Sequence, residues 1–331
     1  GFLADRWGYR SCLITGGIAL LISNLIPVFY VDFYFFLAHF LLIALARALV
    51  SGASSAYLYE QLKLRHQESD FKIHEGRARG YSLYGKVFCW FFVGGMMEWE
   101  ITLPYVLTAL SALIAVFFAF LLPSDSRKQE SSSKYSLKVI KDILVSSPNL
   151  ILVMIMGVGI FVLARVIQVN LYQPVLGSKS FHIVHYGWIM SVMTIFEAFG
   201  ASNQKWLRDR ISDIRAIFLF TMIIAFSLFL ISISEKIGTI TGLLLFSLSF
   251  GFALPTQRQL INDFIKDSGW RATILSIESL LDRAFCALVV GFLGEYVERG
   301  EISLILNSSA IAAIFLVIFL YILLKTRVMK K

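Results

Sequence analysis

The chain contains ten apolar runs, each close to the length that an α-helix needs to cross a membrane. They lie near residues 12–30, 34–58, 83–98, 102–122, 149–169, 185–204, 216–233, 238–256, 272–294 and 303–324. About 20 apolar residues cover the roughly 30 Å of hydrocarbon in a bilayer. Backbone groups in lipid must bond within the protein, and these runs lack the alternation of barrel strands. The chain is therefore predicted to be an all-α polytopic membrane protein.

Composition supports the bilayer as the surroundings of this chain. Of its 331 residues, 57% are hydrophobic and 29 are Phe, and its mean hydropathy is +0.74. A soluble domain of this length needs far less apolar surface. Turn-forming residues predict ends of the runs at Pro123, Pro148, Pro174 and Pro255. We expect a monomer in the membrane.

The basic residues predict an orientation. Most of the 30 Lys and Arg residues fall in loops on one side, which holds residues 1–10, the segment 123–147 and the C-terminus. Short cytoplasmic loops carry an excess of such residues, so this side is predicted to be cytoplasmic, in the bacterial cytoplasmic membrane. The net charge of +8 follows from that topology, and it indicates no nucleic-acid partner.

The chain repeats its own plan, which predicts two halves. Leu207-Arg208-Asp209-Arg210 follows the sixth run, as Leu3-Ala4-Asp5-Arg6 precedes the first. The predicted division is an N-terminal bundle at 1–122, a polar cytoplasmic linker at 123–147 and a C-terminal bundle at 148–331. Six runs follow the linker and four precede it. Two helices are therefore expected to be missing before residue 1, and the complete protein should have about 390 to 400 residues.

Three motifs carry a family resemblance. GFLADRWGYR (1–10) resembles the loop between the second and third helices of major facilitator superfamily transporters, G-x-L-A-D-R-x-G-R-K, with Tyr9 where the family has a second basic residue. LVSGASSAYLYEQLK (49–63) and RATILSIESLLDRA (271–284) resemble the end of the fourth helix and the start of the eleventh in bacterial members. The resemblance implies two pseudo-symmetric six-helix bundles, of which helices 3–12 are present here.

The resemblance also implies a cytoplasmic gate. Its gating motif corresponds to Asp5, Arg6, Gly8 and Arg10, in which Asp5 faces the N-terminus of the eleventh helix near Trp270. A carboxylate in that position contributes roughly 0.3–1 kcal/mol. Alternatively, this acid and its neighbouring arginine only solvate a tight turn. Further candidates for the gate lie near cytoplasmic helix ends: Glu60, Asp209, Arg210, Asp263 and Arg271.

Polar residues within the apolar runs are candidates for a substrate or proton pathway. They are Arg47, Arg165, Gln168, Glu197, Glu278, Asp282 and Arg283. An ionisable group at a helix centre costs at least about 2.5–3.5 kcal/mol on insertion scales. Carboxylates in a cavity of low dielectric can load and release protons, as a proton-coupled antiporter requires. Three alternatives stay open. Arg47 is a structural residue paired to a carbonyl or a polar neighbour, or the helix of Arg165 ends near Gln168 and its polar groups are solvated, or Glu278, Asp282 and Arg283 form a static ion-pair group.

Other chemistries find little support. Cys12, Cys89 and Cys286 show no C-x-x-C spacing, and His182 and His185 have no third ligand nearby. Motifs for phosphate loops, hydrolases and zinc proteases are missing from the sequence, so we expect neither an enzyme nor a cofactor or metal. An ion gradient is then the expected source of energy.

Glycines within the runs predict close contacts between helices. Such residues are Gly94, Gly95, Gly157, Gly200, Gly251 and Gly291. In function, the first expectation is proton-coupled efflux of a small organic solute by alternating access, because the bacterial branch suggested by the motifs contains many such exporters. Ion-coupled uptake of a sugar, peptide or metabolite is the alternative. A non-transporting membrane receptor or assembly protein is the third possibility.

Overall fold

A computed structural model describes residues 7–67, 70–123, 147–265 and 271–328. The chain divides into two compact units, Gly1–Tyr135 and Ser136–Lys331. Unit 1 contains α1 (Tyr9–Phe29), α2 (Phe33–Leu64), α3 (Phe71–Trp99) and α4 (Leu103–Leu121). Unit 2 contains α5 (Pro148–Arg165), a π-helical segment (Val166–Leu171), α6 (Tyr172–Ser178), α7 (Ile183–Ser202), α8 (Gln204–Arg208), α9 (Asp213–Ile233), α10 (Lys236–Phe264), α11 (Arg271–Glu298) and α12 (Ile302–Val328).

The predicted all-α fold is confirmed, since the regular structure of the described residues is helical and every predicted apolar run lies on a helix. Within these residues, eight helices are long and apolar enough to cross a membrane. The helices α3 and α11 carry more charge along their length and are not among them. The number of ten spanning helices therefore stays a prediction. The predicted linker lies almost wholly outside the described residues.

In unit 1, α1 packs along α2 and α4. Asp32 caps α2 by accepting a hydrogen bond from the backbone N–H of Tyr34 at 2.8 Å, which satisfies one of the four N–H groups that a helix start leaves unpaired. Deeper in the same unit, a ring nitrogen of the buried His39 bonds the carbonyl of Ser23 at 2.6 Å. This contact joins α2 to α1 through a side chain.

In unit 2, α10 is the element around which the others pack, since it contacts α5, α7 and α9. Its crossing with α7 brings backbone against backbone. A Cβ atom built on Gly200 would lie 2.6 Å from the carbonyl oxygen of Leu248, and one on Gly251 would strike the carbonyl of Glu197. Small residues allow such close approach between helices in lipid, so the contacts predicted at these two glycines are confirmed.

Two predicted features differ in the structure. Pro174 and Pro255 lie inside α6 and α10 and do not end a helix. A proline removes one backbone hydrogen bond, and packed neighbouring helices in a membrane protein compensate for this loss. A Cβ atom on Gly95 or Gly291 would meet no atom of the described residues within 4 Å, so the close contacts predicted there are wrong for this part of the chain. Composition alone does not reveal which face of a helix is packed.

Candidate functional site

The opening motif is described only from Trp7 onward, so Asp5 and Arg6 lie outside the described residues. Gly8 has φ 88°, a backbone conformation that favours glycine. Its carbonyl accepts a hydrogen bond from the backbone N–H of Cys12, in the first turn of α1. The Nη2 group of Arg10 donates to the carbonyl of Phe120 at 2.7 Å. A helix end leaves its last carbonyls unpaired, and this bond satisfies one of them at the end of α4. The motif arginine thus ties the beginning of α1 to the end of α4.

A buried polar cluster lies in unit 2, where α5, α10 and α11 meet. Gln257 and Glu278 are 2% and 9% exposed, respectively. A Cβ atom built on Gly157 would lie 2.7 Å from Nε2 of Gln257 and 2.8 Å from Oε1 of Glu278. Both side chains therefore lie against the backbone of α5 at this glycine, and a larger residue there would require their ends to shift. We name Gln257, Glu278 and Asp282 the interior cluster.

The amide of Gln257 has a defined orientation. Its Nε2 donates to the carbonyl of Val153 at 2.5 Å. A carbonyl only accepts, so the NH2 end of the amide faces Val153 and Oε1 points elsewhere. That oxygen is buried and has no hydrogen-bond partner in the described part of the chain. An unsatisfied buried acceptor costs about 1–3 kcal/mol, so this oxygen is an unfavourable feature of the described structure.

Asp282 extends the cluster by one helical turn on α11. Its Oδ1 is likewise buried without a partner in the described structure. Arg258 acts electrostatically on Glu278 and Asp282, and Arg283 acts on Asp282, yet both arginines are exposed. Between these carboxylates and basic side chains of the described residues, the structure shows no ion pair within 4.0 Å. The static ion-pair group considered for these three α11 residues is not formed there.

Gln168 and Glu197 form a second polar contact in unit 2. Gln168 lies in the π-helical segment, and its Nε2 donates to Oε2 of Glu197 on α7 at 3.0 Å. Single π turns within α-helices are rare and occur often at functional sites. Arg165 ends the preceding α-helix with an exposed side chain and takes no part in this bond. The polar face predicted for Arg165 and Gln168 stays a prediction.

The remaining pathway and gate candidates are more peripheral. Arg47 is exposed and Glu60 half-buried on α2, while the side chain of Arg271 lies outside the described structure. In unit 2, the exposed Asp209 precedes Arg210, whose guanidinium lies 4.3 Å from the ring centroid of Trp206. The structure thus places the described side chains among these residues on helix surfaces or near helix ends.

Asp263 accepts a hydrogen bond from Nε2 of Gln259, one turn earlier on α10, at 2.7 Å. Cys12, Cys89 and Cys286 form no disulfide bond in the described part of the chain. In the described ranges, no group of three His, Cys, Asp or Glu side chains is placed to hold a metal ion.

Sequence reasoning missed Gln257. It assigned Gly157 to a helix contact and Glu278 to a pathway, but it ended the eighth run at 256 because of Pro255. Gln257 and Arg258, which follow Pro255 by two and three residues, were a signal that the helix continues past the proline with polar side chains. The three-dimensional crossing of α5, α10 and α11 was needed to bring these residues together.

Comparison with known proteins gives a family and a fold. The family model described as Major Facilitator Superfamily matches residues 1–280. The solved nucleoside transporter NupG, in a mutant form, has a TM-score of 0.76 at 16% identity, covering 97% of this chain and 85% of that chain. The peptide transporter POT, also a mutant, has a TM-score of 0.74 at 13% identity, covering 97% and 81%.

A structure of proton dependent oligopeptide transporters gives a TM-score of 0.62 at 12% identity, covering 99% of this chain and 87% of that chain. Curated protein sequences gave no match. Identities this low show a common fold and leave the solute of this chain to be argued from its own residues.

Proposed function

The chain belongs to the major facilitator superfamily, and we propose that it moves a small organic solute across the bacterial cytoplasmic membrane by alternating access, in exchange for protons. In this proposal residues 1–10, the 123–147 segment and the C-terminus face the cytoplasm. The observation that carries the proposal is Glu278, a carboxyl group 9% exposed at the junction of α5, α10 and α11.

The argument for coupling starts from the energy of a buried charge. A carboxylate removed from water without a cationic partner is strongly unfavourable. Glu278 has no such partner within 4.0 Å in the described residues. It must therefore be neutralised by a proton or by a bound cation whenever the site closes. Glu278 thus needs either a proton or a cation before the transporter changes conformation, because the charged and unoccupied carboxylate disfavours that change. This requirement supports an obligatory exchange of solute for protons.

Ion-coupled uptake is the second candidate. NupG is named a nucleoside transporter and POT a peptide transporter, and one similar structure belongs to proton dependent oligopeptide transporters. Their likeness in fold favours a solute of comparable size and proton coupling. Uptake and efflux differ in the direction of solute flow relative to the proton gradient, so a flux measurement separates them.

The test is flux into and out of liposomes that contain the purified protein, under pH gradients of both signs. The solutes are nucleosides, dipeptides, sugars and organic amines. Glu278→Gln keeps the size of the side chain and removes its charge. Glu298→Gln, at the exposed end of the same helix, is the matched control.

We expect gradient-driven flux to fall at least about a hundredfold in Glu278→Gln, which is the lower end of what a positioned proton-transfer group contributes. It should persist in Glu298→Gln. Solute flow against the proton flow supports exchange, whereas solute flow with the protons supports uptake. Flux that is equal in both variants would remove Glu278 from the coupling path. Absence of flux for every solute would favour the non-transporting alternative.

A further inference from the structure

A cavity of about 350 Å³ lies in unit 1, between the last turns of α2, the first turn of α3 and the end of α4. Sites for small ligands begin at about 300 Å³, so the cavity has room for a compact chemical group. The hydroxyl of Tyr57, one of its lining residues, donates to the carbonyl of Pro123 at 3.0 Å. This bond links α2 to the end of α4 and defines the shape of the cavity.

The other polar side chains of this cavity all contain N–H donors. They are Gln61, Arg65, Gln67 and His74. None of the described lining residues is acidic. In the described part of the chain, Arg65 and His74 have no carboxylate partner within 4.0 Å. A guanidinium group carries a permanent positive charge and five donors in a planar fork. The cavity therefore suits an anion that has several acceptor oxygens.

The turn after α2 brings two of these side chains to the cavity. His66 has φ 56°, in the left-handed region where a helix end usually has glycine. The backbone N–H of Gln67 donates across this turn to the carbonyl of Leu62 at 2.9 Å. The chain reverses at His66, so that Arg65 before it and Gln67 after it line the same space. The turn thus contributes a charged donor and an amide donor to one cavity.

The rest of the lining is apolar, and it consists of Leu58, Leu62, Leu122 and Pro123. The α4 helix has 19 residues, which span about 28 Å at 1.5 Å per residue. This length is close to the roughly 30 Å of hydrocarbon in a bilayer. Leu122 and Pro123 follow α4 directly, so the cavity lies near the membrane surface. Leucines beside basic donors at this level match a molecule with an anionic group on an apolar body.

We propose that this cavity binds the phosphate group of an acidic phospholipid, with Arg65 and His74 as its charged donors. The guanidinium fork matches two phosphate oxygens at once. Basic pockets between helices at the membrane surface bind such head groups. A soluble phosphate ester offers the same oxygens without the apolar body, so it is the other source of this chemistry. The site concerns the surrounding lipid and does not depend on the transported solute.

The experiment ranks lipids bound to the purified full chain in detergent by native mass spectrometry. Phosphatidylglycerol has a net negative charge, and phosphatidylcholine, with the same phosphate and no net charge, is the matched control. We expect the first phosphatidylglycerol to bind at least about tenfold tighter, because one basic side chain beside an acidic lipid contributes about fivefold. Arg65→Gln should lower this preference about fivefold, and Arg65→Gln combined with His74→Gln should remove it.

Lys63→Gln is the control for surface charge. It removes the same charge from an exposed position two residues before Arg65 that does not line the cavity, and it should leave the preference unchanged. An equal loss in Lys63→Gln and Arg65→Gln would overturn the proposal, because it would show a general effect of basic residues near the membrane. Equal binding of the two lipids to the wild type would overturn it as well.

Competition by glycerophosphoglycerol, the same head group without acyl chains, separates the two sources of phosphate. We expect it to bind at least about tenfold more weakly than phosphatidylglycerol, because it lacks the apolar body that the leucines contact. Affinity as high as that of the lipid, lost in Arg65→Gln, would refute the lipid as the occupant and support a site for soluble phosphate esters.

Discussion

Gly157 is the position at which the packing of unit 2 and its polar chemistry are most directly joined, and Gly157→Ala tests that connection. A Cβ atom there would lie 2.7 Å from Nε2 and 3.2 Å from Cγ of Gln257, and 2.8 Å from Oε1 of Glu278. Contacts this short force both side chains to move. Moving Gln257 breaks its bond to the carbonyl of Val153.

The expected magnitude follows from three contributions. Inserting a methyl group into a packed interior costs about 1–3 kcal/mol. Loss of the hydrogen bond between the Gln257 amide and the carbonyl of Val153 leaves buried polar groups unsatisfied, which costs about 1–3 kcal/mol. Alanine in place of glycine within a helix recovers about 1 kcal/mol. The net expectation is that Gly157→Ala destabilises the protein by about 1–5 kcal/mol.

The assay is thermal unfolding of the purified protein in detergent, followed by tryptophan fluorescence. Gly291→Ala is the matched control, because a Cβ atom there would meet no described atom within 4 Å; it should leave the unfolding midpoint unchanged or raise it. Gly157→Ala should lower the midpoint by several degrees. In a Gln257→Ala background, the added penalty of Gly157→Ala should shrink, since the two residues share one contact.

Two results would refute this reasoning. One is an unfolding midpoint for Gly157→Ala at or above that of the wild type, which would mean that α5, α10 and α11 do not approach each other as closely as described. The other is a full penalty in the Gln257→Ala background, which would place the clash elsewhere.

Three further predictions concern unit 2. Gly251→Ala should lower the unfolding midpoint more than Gly157→Ala does, because its Cβ atom would strike the backbone carbonyl of Glu197, which cannot rotate away as a side chain does; a smaller effect would contradict the backbone contact. Arg299→Ala should change stability by at most about 1 kcal/mol, because its ion pair with Glu295 is 59% and 66% exposed and exposed pairs contribute little; a loss above about 2 kcal/mol in a denaturant titration would contradict this. Gln168→Leu should destabilise the protein by about 1–3 kcal/mol, because Glu197 loses its partner in a half-buried place; unchanged thermal unfolding would show that water replaces the amide.

Sequence patterns predicted the helices well and their ends poorly. The apolar runs are the direct result of the bilayer's requirement for internally bonded backbone, so each run lies on a helix. Where a helix ends depends both on local residue preferences and on tertiary packing. Pro174 and Pro255 disfavour a continuing helix locally, yet both lie inside helices that are packed against their neighbours. Glycine spacing predicted close crossings at Gly200 and Gly251, yet the same reasoning failed at Gly291. A glycine is permissive, and its neighbours decide whether the space is used.

The polar site was predictable only in part, for a similar reason. Glu278 stood out because an acid in an apolar run is costly and needs an explanation. Gln257 did not stand out, because an amide next to an arginine after a proline also suits a solvated helix end. Its significance comes from its bond to Val153 and from its position against Gly157, on a helix 100 residues away in sequence. A local sequence pattern does not reveal contacts between residues so far apart in the chain.

The helix registers of α5, α10 and α11 agree on the depth of the cluster, which bears on what it can bind. Gly157 lies nine residues after Pro148 at the start of α5, Glu278 seven after Arg271 at the start of α11, and Gln257 seven before Phe264 at the end of α10. At 1.5 Å per residue these positions lie about 10–14 Å from their helix ends. Those three ends share one side of the bundle, because successive long helices of unit 2 alternate in direction. The three residues therefore lie at a similar distance from the helix ends on α5, α10 and α11. A pair of carboxylates buried there without a cationic partner is strongly unfavourable, which is why the proposed exchange needs a proton or a cation before closure.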